Sequence, residues 1–291
     1  MTEIARLMHT LAREEGFNTT ELPGVGIFKA SQPKPREPLC YQQGVIIVGQ
    51  GSKRVFLGNS TYEYNPDNYL VLTVPIPAEC ETSTVEDKPM LAMTVDLDIG
   101  MLNRIIAEMD SHINLDLLEK RDKHKGLFLA STTVQIQDTV QRLLHALQSP
   151  LDCGVIGPGI VHELIFRIMC GENASSLYAL AMKNTNLARI DKALKLIHSN
   201  YRESMDVDSL AALVNMSPSA FHRAFKDVTA SSPIQYLKKV RLSKAKALLI
   251  EEGSRVNEAA TEVGYESAAQ FSREFKRYFG TSPVECINGA R

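Results

Sequence analysis

The hexapeptides "FHRAFK" at 221–226 and "FSREFK" at 271–276 are nearly the same, fifty positions apart. Read outward without gaps, 217–233 against 267–283 agree at seven of seventeen positions. The matches are Ser217/Ser267, Phe221/Phe271, Arg223/Arg273, Phe225/Phe275, Lys226/Lys276, Ser232/Ser282 and Pro233/Pro283. Random pairing does not give this, so the last third of the chain is built from one unit used twice. Upstream the register slips by one residue: "LAALVN" (210–215) matches "AATEVG" (259–264), which makes the second copy's turn one residue longer.

Each copy has a mechanical reading. A short helix, about 208–214 or 256–263, ends at Asn215 or Gly264, residue types that accept a left-handed backbone. Ser217 or Ser267 then caps the next helix. Phe221, Phe225 and Val228 share one face of that helix, as do Phe271, Phe275 and Tyr278 in the second copy. The opposite face is polar and basic. Two helices joined by a tight turn, the second apolar behind and cationic in front, form a helix-turn-helix, expected at 208–228 and again at 256–278. Between them "PIQYLKKVRLSKAKALLIEEG" (233–253) reads as one helix of about 27 Å. That strut suits two reading heads set for successive major grooves, which repeat at about 34 Å.

The charge distribution agrees. The net charge is −2, yet residues 187–291 hold 16 Lys and Arg against 12 Asp and Glu, while 1–186 hold 16 against 22. A basic tail on an acidic body points to a polyanion met by the tail alone. No apolar run is long enough to span a membrane and the first twenty residues do not read as a signal peptide, so a cytoplasmic location is expected. The five cysteines are scattered and never spaced C-x-x-C, which fits reduced thiols rather than a disulfide framework or a zinc site.

"SPSAFHRAFKDVTASSPIQYLKKVRLSKAKALL" followed by "AATEVGYESAAQFSREFKRYFGTSPVE" resembles the DNA-binding domain of the AraC/XylS family of bacterial transcription regulators. The resemblance covers roughly 187–289, with Asn215 and Ala230 standing where the family usually has glycine. It implies that Ser219, His222 and Arg223 face bases in one groove and Ala268, Ala269, Gln270 and Arg273 in the next. Arginine suits guanine O6/N7 and glutamine adenine N6/N7. Lys226, Lys238, Arg241, Lys276 and Arg277 are expected on phosphates, which position a protein without reading sequence. Double-stranded DNA is the expected partner, with RNA polymerase implied by the resemblance, and activation is expected over repression.

The first half has a different texture. Short runs such as "GVIIVGQ", "KRVFLG" and "YLVLTVPIP" between turn residues predict strands from about 22 to 99, in a small barrel or sandwich. Helical periodicity then takes over. The overall expectation is an α+β chain: a cupin-like β-barrel with following helices, then an all-α domain of two helix-turn-helix motifs on a long connecting helix. Residues 1–172 are read as the regulatory, effector and dimerisation domain, 173–186 as a linker and 187–291 as the DNA-binding domain. "YQQGVIIVGQGSKRVFLGNSTYEYNPDNYLVLTVPIP" resembles the N-terminal domain of one subgroup of these regulators, which implies a small-molecule effector. No histidine falls between 17 and 111, so a histidine metal site built on strands is excluded; no metal, cofactor or catalytic set is expected. Cys40 and Cys80 are weak candidates for effector sensing, with burial as small hydrophobes the blander reading. The stripe Val134, Ile136, Val140, Leu143, Leu144 and Leu147 could serve a homodimer or the core. The rival readings are a DNA-modifying or repair enzyme using the helical domain for targeting, and a regulator whose first domain only dimerises.

Overall fold

The computed structural model describes residues 1–86, 88–110, 124–171, 173–182 and 184–290. Helix α1 (Glu3–Leu11), capped by the Thr2 hydroxyl, comes first. It stops at Leu11, and residues 16–19 already form strand β1 (Gly16–Thr19). Strands β2 (Val25–Ala30), β3 (Lys34–Tyr41), β4 (Gly44–Gln50), β5 (Ser52–Leu57), β6 (Ser60–Tyr64), β7 (Asn68–Leu72), β8 (Ile76–Ser83) and β9 (Met90–Asp96) follow, and β10 (Leu127–Ser131) comes after helix α2 (Ile99–Asp110). They form two antiparallel sheets, β1-β2-β9-β4-β7-β10 and β3-β8-β5-β6. The chain passes from one sheet to the other at Gly51 between β4 and β5. There φ is +80° and a Cβ would lie 2.9 Å from the Ser83 carbonyl oxygen, so a side chain is excluded. Among the described residues no strand ladder links the two sheets, though their edge strands β6 and β10 are in contact, and together the sheets enclose a shared core.

Helices α3 (Val134–Ala146), α4 (Pro150–Val155), α5 (Gly157–Met169) and α6 (Ser175–Ala181) follow. α3 packs on α1 and α5, and Ile136, Val140, Leu143, Leu144 and Leu147 are all buried there. Of the apolar stripe offered for a dimer, Val134 alone is left outside, at 68% exposed. The core takes the rest, which removes that helix as a ready dimer surface. The stretch expected as a linker carries α6, whose Ser176–Leu180 are buried against neighbouring helices. "SSLYALA" has the apolar spacing of a packed helix, and its small polar start concealed this.

The last third is helical throughout: α7 (Asn186–Ser199), α8 (Val207–Leu213), α9 (Pro218–Thr229), α10 (Pro233–Ile250), α11 (Val256–Glu262), α12 (Ala268–Phe279) and α13 (Pro283–Ala290). α10 packs against β3 and β8 as well as α9 and α12. The Tyr236 hydroxyl, on α10, donates to the Pro75 carbonyl at 2.8 Å and lies 2.8 Å from His198 Nε2. With that proton committed to Pro75, His198 must be the Nε2–H tautomer and donate in turn. Burial first, and Lys244 second, push the imidazole down to about 4, which keeps it neutral and able to play that part. Among the described residues no helix is long and apolar enough to cross a membrane.

Candidate DNA interface and inter-sheet cavity

The duplication is geometric as well as sequential. α8 ends with Met216 N–H bonded to the Ala211 carbonyl and Asn215 N–H to Ala212. α11 ends with Tyr265 N–H bonded to Ala260 and Gly264 N–H to Thr261. Both are Schellman closures, which need a left-handed residue at the bend, supplied by Asn215 at φ 54° and Gly264 at φ 86°. Glycine is compulsory only in the second, where a Cβ would meet the Arg202 carbonyl oxygen at 2.2 Å. Ser217 caps α9 and Ser267 caps α12, two and three residues past the bend, so the longer second turn is present. The Phe221–Phe225 rings lie 5.5 Å apart at 59° and the Phe271–Phe275 rings 5.5 Å apart at 57°. All four are fully buried. Ala230, at φ 54°, closes α9 as Gly280, at φ 79°, closes α12.

With the phenylalanines anchored inward, helical spacing turns the predicted readers outward. Ser219, His222, Arg223 and Lys226 are exposed on α9; Ala269, Gln270, Arg273, Lys276 and Arg277 are exposed on α12, and Ala268 is half-buried. Among the described residues Arg223, Lys226, Arg273, Lys276 and Arg277 make no ion pair, whereas nearby Lys195 and Arg202 are held by Asp191 and Glu262. Two unpaired cationic faces on capped, rigidly backed helices can meet a duplex without first giving up internal partners. Gln270 is less free, since its amide reaches Glu274 at 3.3 Å.

Two predicted phosphate residues have other employment. Lys238 pairs with Glu274 at 3.1 Å. Burial raises the Glu274 carboxyl, but hydrogen bonds from Gln270, Lys238 and Tyr265 outweigh this and hold it below the usual range. Arg241 is committed entirely to backbone. Its Nε donates to Tyr201 O at 2.7 Å, its Nη2 to Glu203 O at 2.7 Å, and its Nη1 to Gly264 O at 3.2 Å. These carbonyls belong to the loop before α8 and to the second bend, so Arg241 ties the two motifs together. Releasing it to a phosphate would strand three of them. Sequence alone does not separate this arginine from a reader, because both kinds sit on an amphipathic helix.

The cavity between the sheets, about 280 Å³, is walled by residues of both, among them Phe28, Val45, Met90 and Ala92. Of the polar strand positions, Arg54 points out to Glu81 at 2.8 Å, while Tyr64 points in and meets the Tyr41 hydroxyl at 3.3 Å. The inward cation is Lys53, only 7% exposed, with its ammonium 4.7 Å from the Phe28 ring centre and 5.6 Å from that of Tyr41. It is absent from the sequence reading, although strand alternation places residue 53 on the same face as Val55. Cys80 is buried beside Lys53 and Tyr41. Burial raises its thiol, against the pull of Lys53, and raises Cys40 to about 11. Both therefore sit as thiols, poor nucleophiles, which weakens them as electrophile sensors. Among the described residues no three His, Cys, Asp or Glu side chains gather as metal ligands.

Comparison with known proteins matches two families. Residues 21–176 match the AraC-type transcriptional regulator N-terminus, and residues 210–288 match a helix-turn-helix domain. The HTH-type transcriptional regulator GbdR of Pseudomonas aeruginosa is 33% identical over 102 residues, 35% of this chain and 28% of that one, so the match spans little more than a quarter of its length. The raffinose operon transcriptional regulatory protein RafR of Pediococcus pentosaceus is 28% identical over 213 residues, 73% of each chain. Among solved structures, ToxT from Vibrio cholerae superposes with a TM-score of 0.59 at 12% identity, covering 91% of this chain and 97% of that one; the likeness is one of fold.

Proposed function

Because the chain belongs to the AraC-type transcriptional regulators, we propose that it binds double-stranded DNA sequence-specifically through α9 and α12 and regulates transcription, as an activator, in response to a small molecule held by its N-terminal domain. The observation that carries this is the twofold occurrence of one device: a Schellman bend, a serine cap, a buried phenylalanine pair and, at matching positions 223 and 273, an exposed arginine that makes no ion pair among the described residues. Arg223, with Ser219 and His222, reads one groove; Arg273, with Ala268, Ala269 and Gln270, reads the next; Lys226, Lys276 and Arg277 hold phosphates. We assign the regulatory part to 1–172 and the DNA-binding part to 187–291, with the intervening segment a packed connector. RNA polymerase is the partner that activation requires. No catalytic step enters this reading, and GbdR and RafR are named as regulators.

The test is a gel-shift series on a genomic operator fragment identified by footprinting. Arg223→Ala should cost about 1–3 kcal/mol and relax base preference at one or two positions of the site. Unchanged affinity together with unchanged preference would refute the assignment.

A further inference from the structure

One cluster in the wall of the inter-sheet cavity has more donors than acceptors around it, although Gln42, Gln43, Thr94 and Asp96 line the cavity too. At one end sit the Lys53 ammonium, with three N–H donors, and the Tyr41 and Tyr64 hydroxyls, with one each. Their partners are ring faces, each other and the Cys80 sulfur, a weak acceptor. Among the described residues Lys53 makes no ion pair; Glu37, the carboxylate acting on it from a distance, is 3.7 Å from Lys246. Asp96 lines another part of the same cavity, where burial raises its carboxyl. A buried ammonium without a carboxylate is costly. Burial accordingly pulls Lys53 below its ordinary value, while Cys80 and Glu37 resist. The phenols are pushed upward by burial, so both keep their protons and remain donors. What the cluster lacks is an anionic acceptor.

The rest of the wall decides what that anion is attached to. Phe28, Val45, Met90 and Ala92 offer hydrocarbon and little else. The volume of about 280 Å³ lies at the small end of ligand sites, which run from roughly 300 to 1,000 Å³. A free inorganic ion would leave this hydrocarbon uncovered, and a neutral hydrocarbon would leave the donors unmet. We infer that the cavity is a site for a small organic carboxylate with an apolar body, its carboxylate held by Lys53 and the Tyr41 and Tyr64 hydroxyls. This deepens the effector role proposed above and depends on it only for the consequence at DNA. A route for that consequence is present: β3 supplies Leu39 and Cys40 to the cavity wall and also to a cleft facing Val240 and Lys244 of α10.

The experiment is calorimetric titration of the full chain with hexanoate and benzoate, beside hexan-1-ol and benzyl alcohol, which keep the apolar body without the charge, and inorganic phosphate. One carboxylate bound per chain, at least about tenfold tighter than its alcohol, with phosphate weaker still, is the expected result. Lys53→Met, close in shape, should erase that preference while leaving the alcohol unchanged; Ala92→Leu should fill the cavity and weaken both. If Lys53→Met does not fold, the wild-type preference and the weakening of both probes in Ala92→Leu decide. Alcohols binding as tightly as carboxylates, carboxylate binding unaffected by Lys53→Met, or no binding at millimolar probe would each overturn the inference. A parallel gel shift separates the two readings. Carboxylate binding that leaves operator affinity unmoved would sink the effector role and leave the site standing; a chain that binds the carboxylate but no DNA would sink the regulator role.

Discussion

Salt dependence of DNA binding distinguishes the arginines and lysines that the structure leaves free from those it has used. Of the five cations predicted on phosphates, Lys226, Lys276 and Arg277 are exposed without an ion pair among the described residues, while Lys238 is paired and Arg241 is bound to carbonyls. Each phosphate neutralised contributes about −0.9 to the slope of log affinity against log salt. Three contacts therefore contribute about −2.7, which corresponds to a roughly 40-fold loss between about 50 and 200 mM salt. Replacing all three with glutamine should flatten the slope by that amount, with little change in melting temperature. Arg241→Gln should do the reverse. It leaves the slope unchanged and, by removing charge-assisted bonds to Tyr201, Glu203 and Gly264, destabilises the fold by about 2–4 kcal/mol. Fluorescence anisotropy on a labelled operator at several salt concentrations, with urea unfolding of each variant, reads both. A slope that shallows by about one in Arg241→Gln and stays put in the triple variant would refute the partition of cations drawn from the structure.

Other outcomes follow from individual contacts. Gly264→Ala places a Cβ 2.2 Å from the Arg202 carbonyl oxygen at φ +86° and should cost roughly 2–4 kcal/mol in urea unfolding, against about 1 kcal/mol for Asn215→Ala, whose bend already carries a side chain. Equal losses would mean that the two bends do not differ as described. Tyr236→Phe removes the α10 hydroxyl that donates to the Pro75 carbonyl and should cost about 1–2 kcal/mol; an unchanged melting temperature would show that the bond carries no net stability. His198 is depressed to about 4, so between there and its ordinary value the unfolded chain binds more protons, and stability falls as pH drops through that window. By about pH 5 its share of the loss is about 2 kcal/mol. His198→Gln should remove that share when urea unfolding at neutral and acid pH is compared. An identical acid loss in both proteins would contradict it.

The helical third was legible from sequence nearly in full, because its determinants are local. A positive-φ bend, a serine cap and phenylalanines four apart each declare themselves within a few residues, and two copies at one register exclude coincidence. Strands were legible as strands, but which sheet each joins depends on long-range pairing that a single chain does not display. The apolar stripe of α3 was visible, while its use was not: only packing shows that α1 and α5 cover it. The same holds for the buried and bound charges. Lys53 and Arg54 are neighbours with opposite fates, one under two rings inside the cavity and one outside on Glu81. Arg241 and Arg273 are alike in sequence, yet one is tied to three backbone carbonyls and the other is exposed. Residue type and spacing fix what a helix or strand presents on each face. Whether a given charge meets solvent, a carbonyl or an apolar wall is set by the elements folded against it, and that is where function is decided.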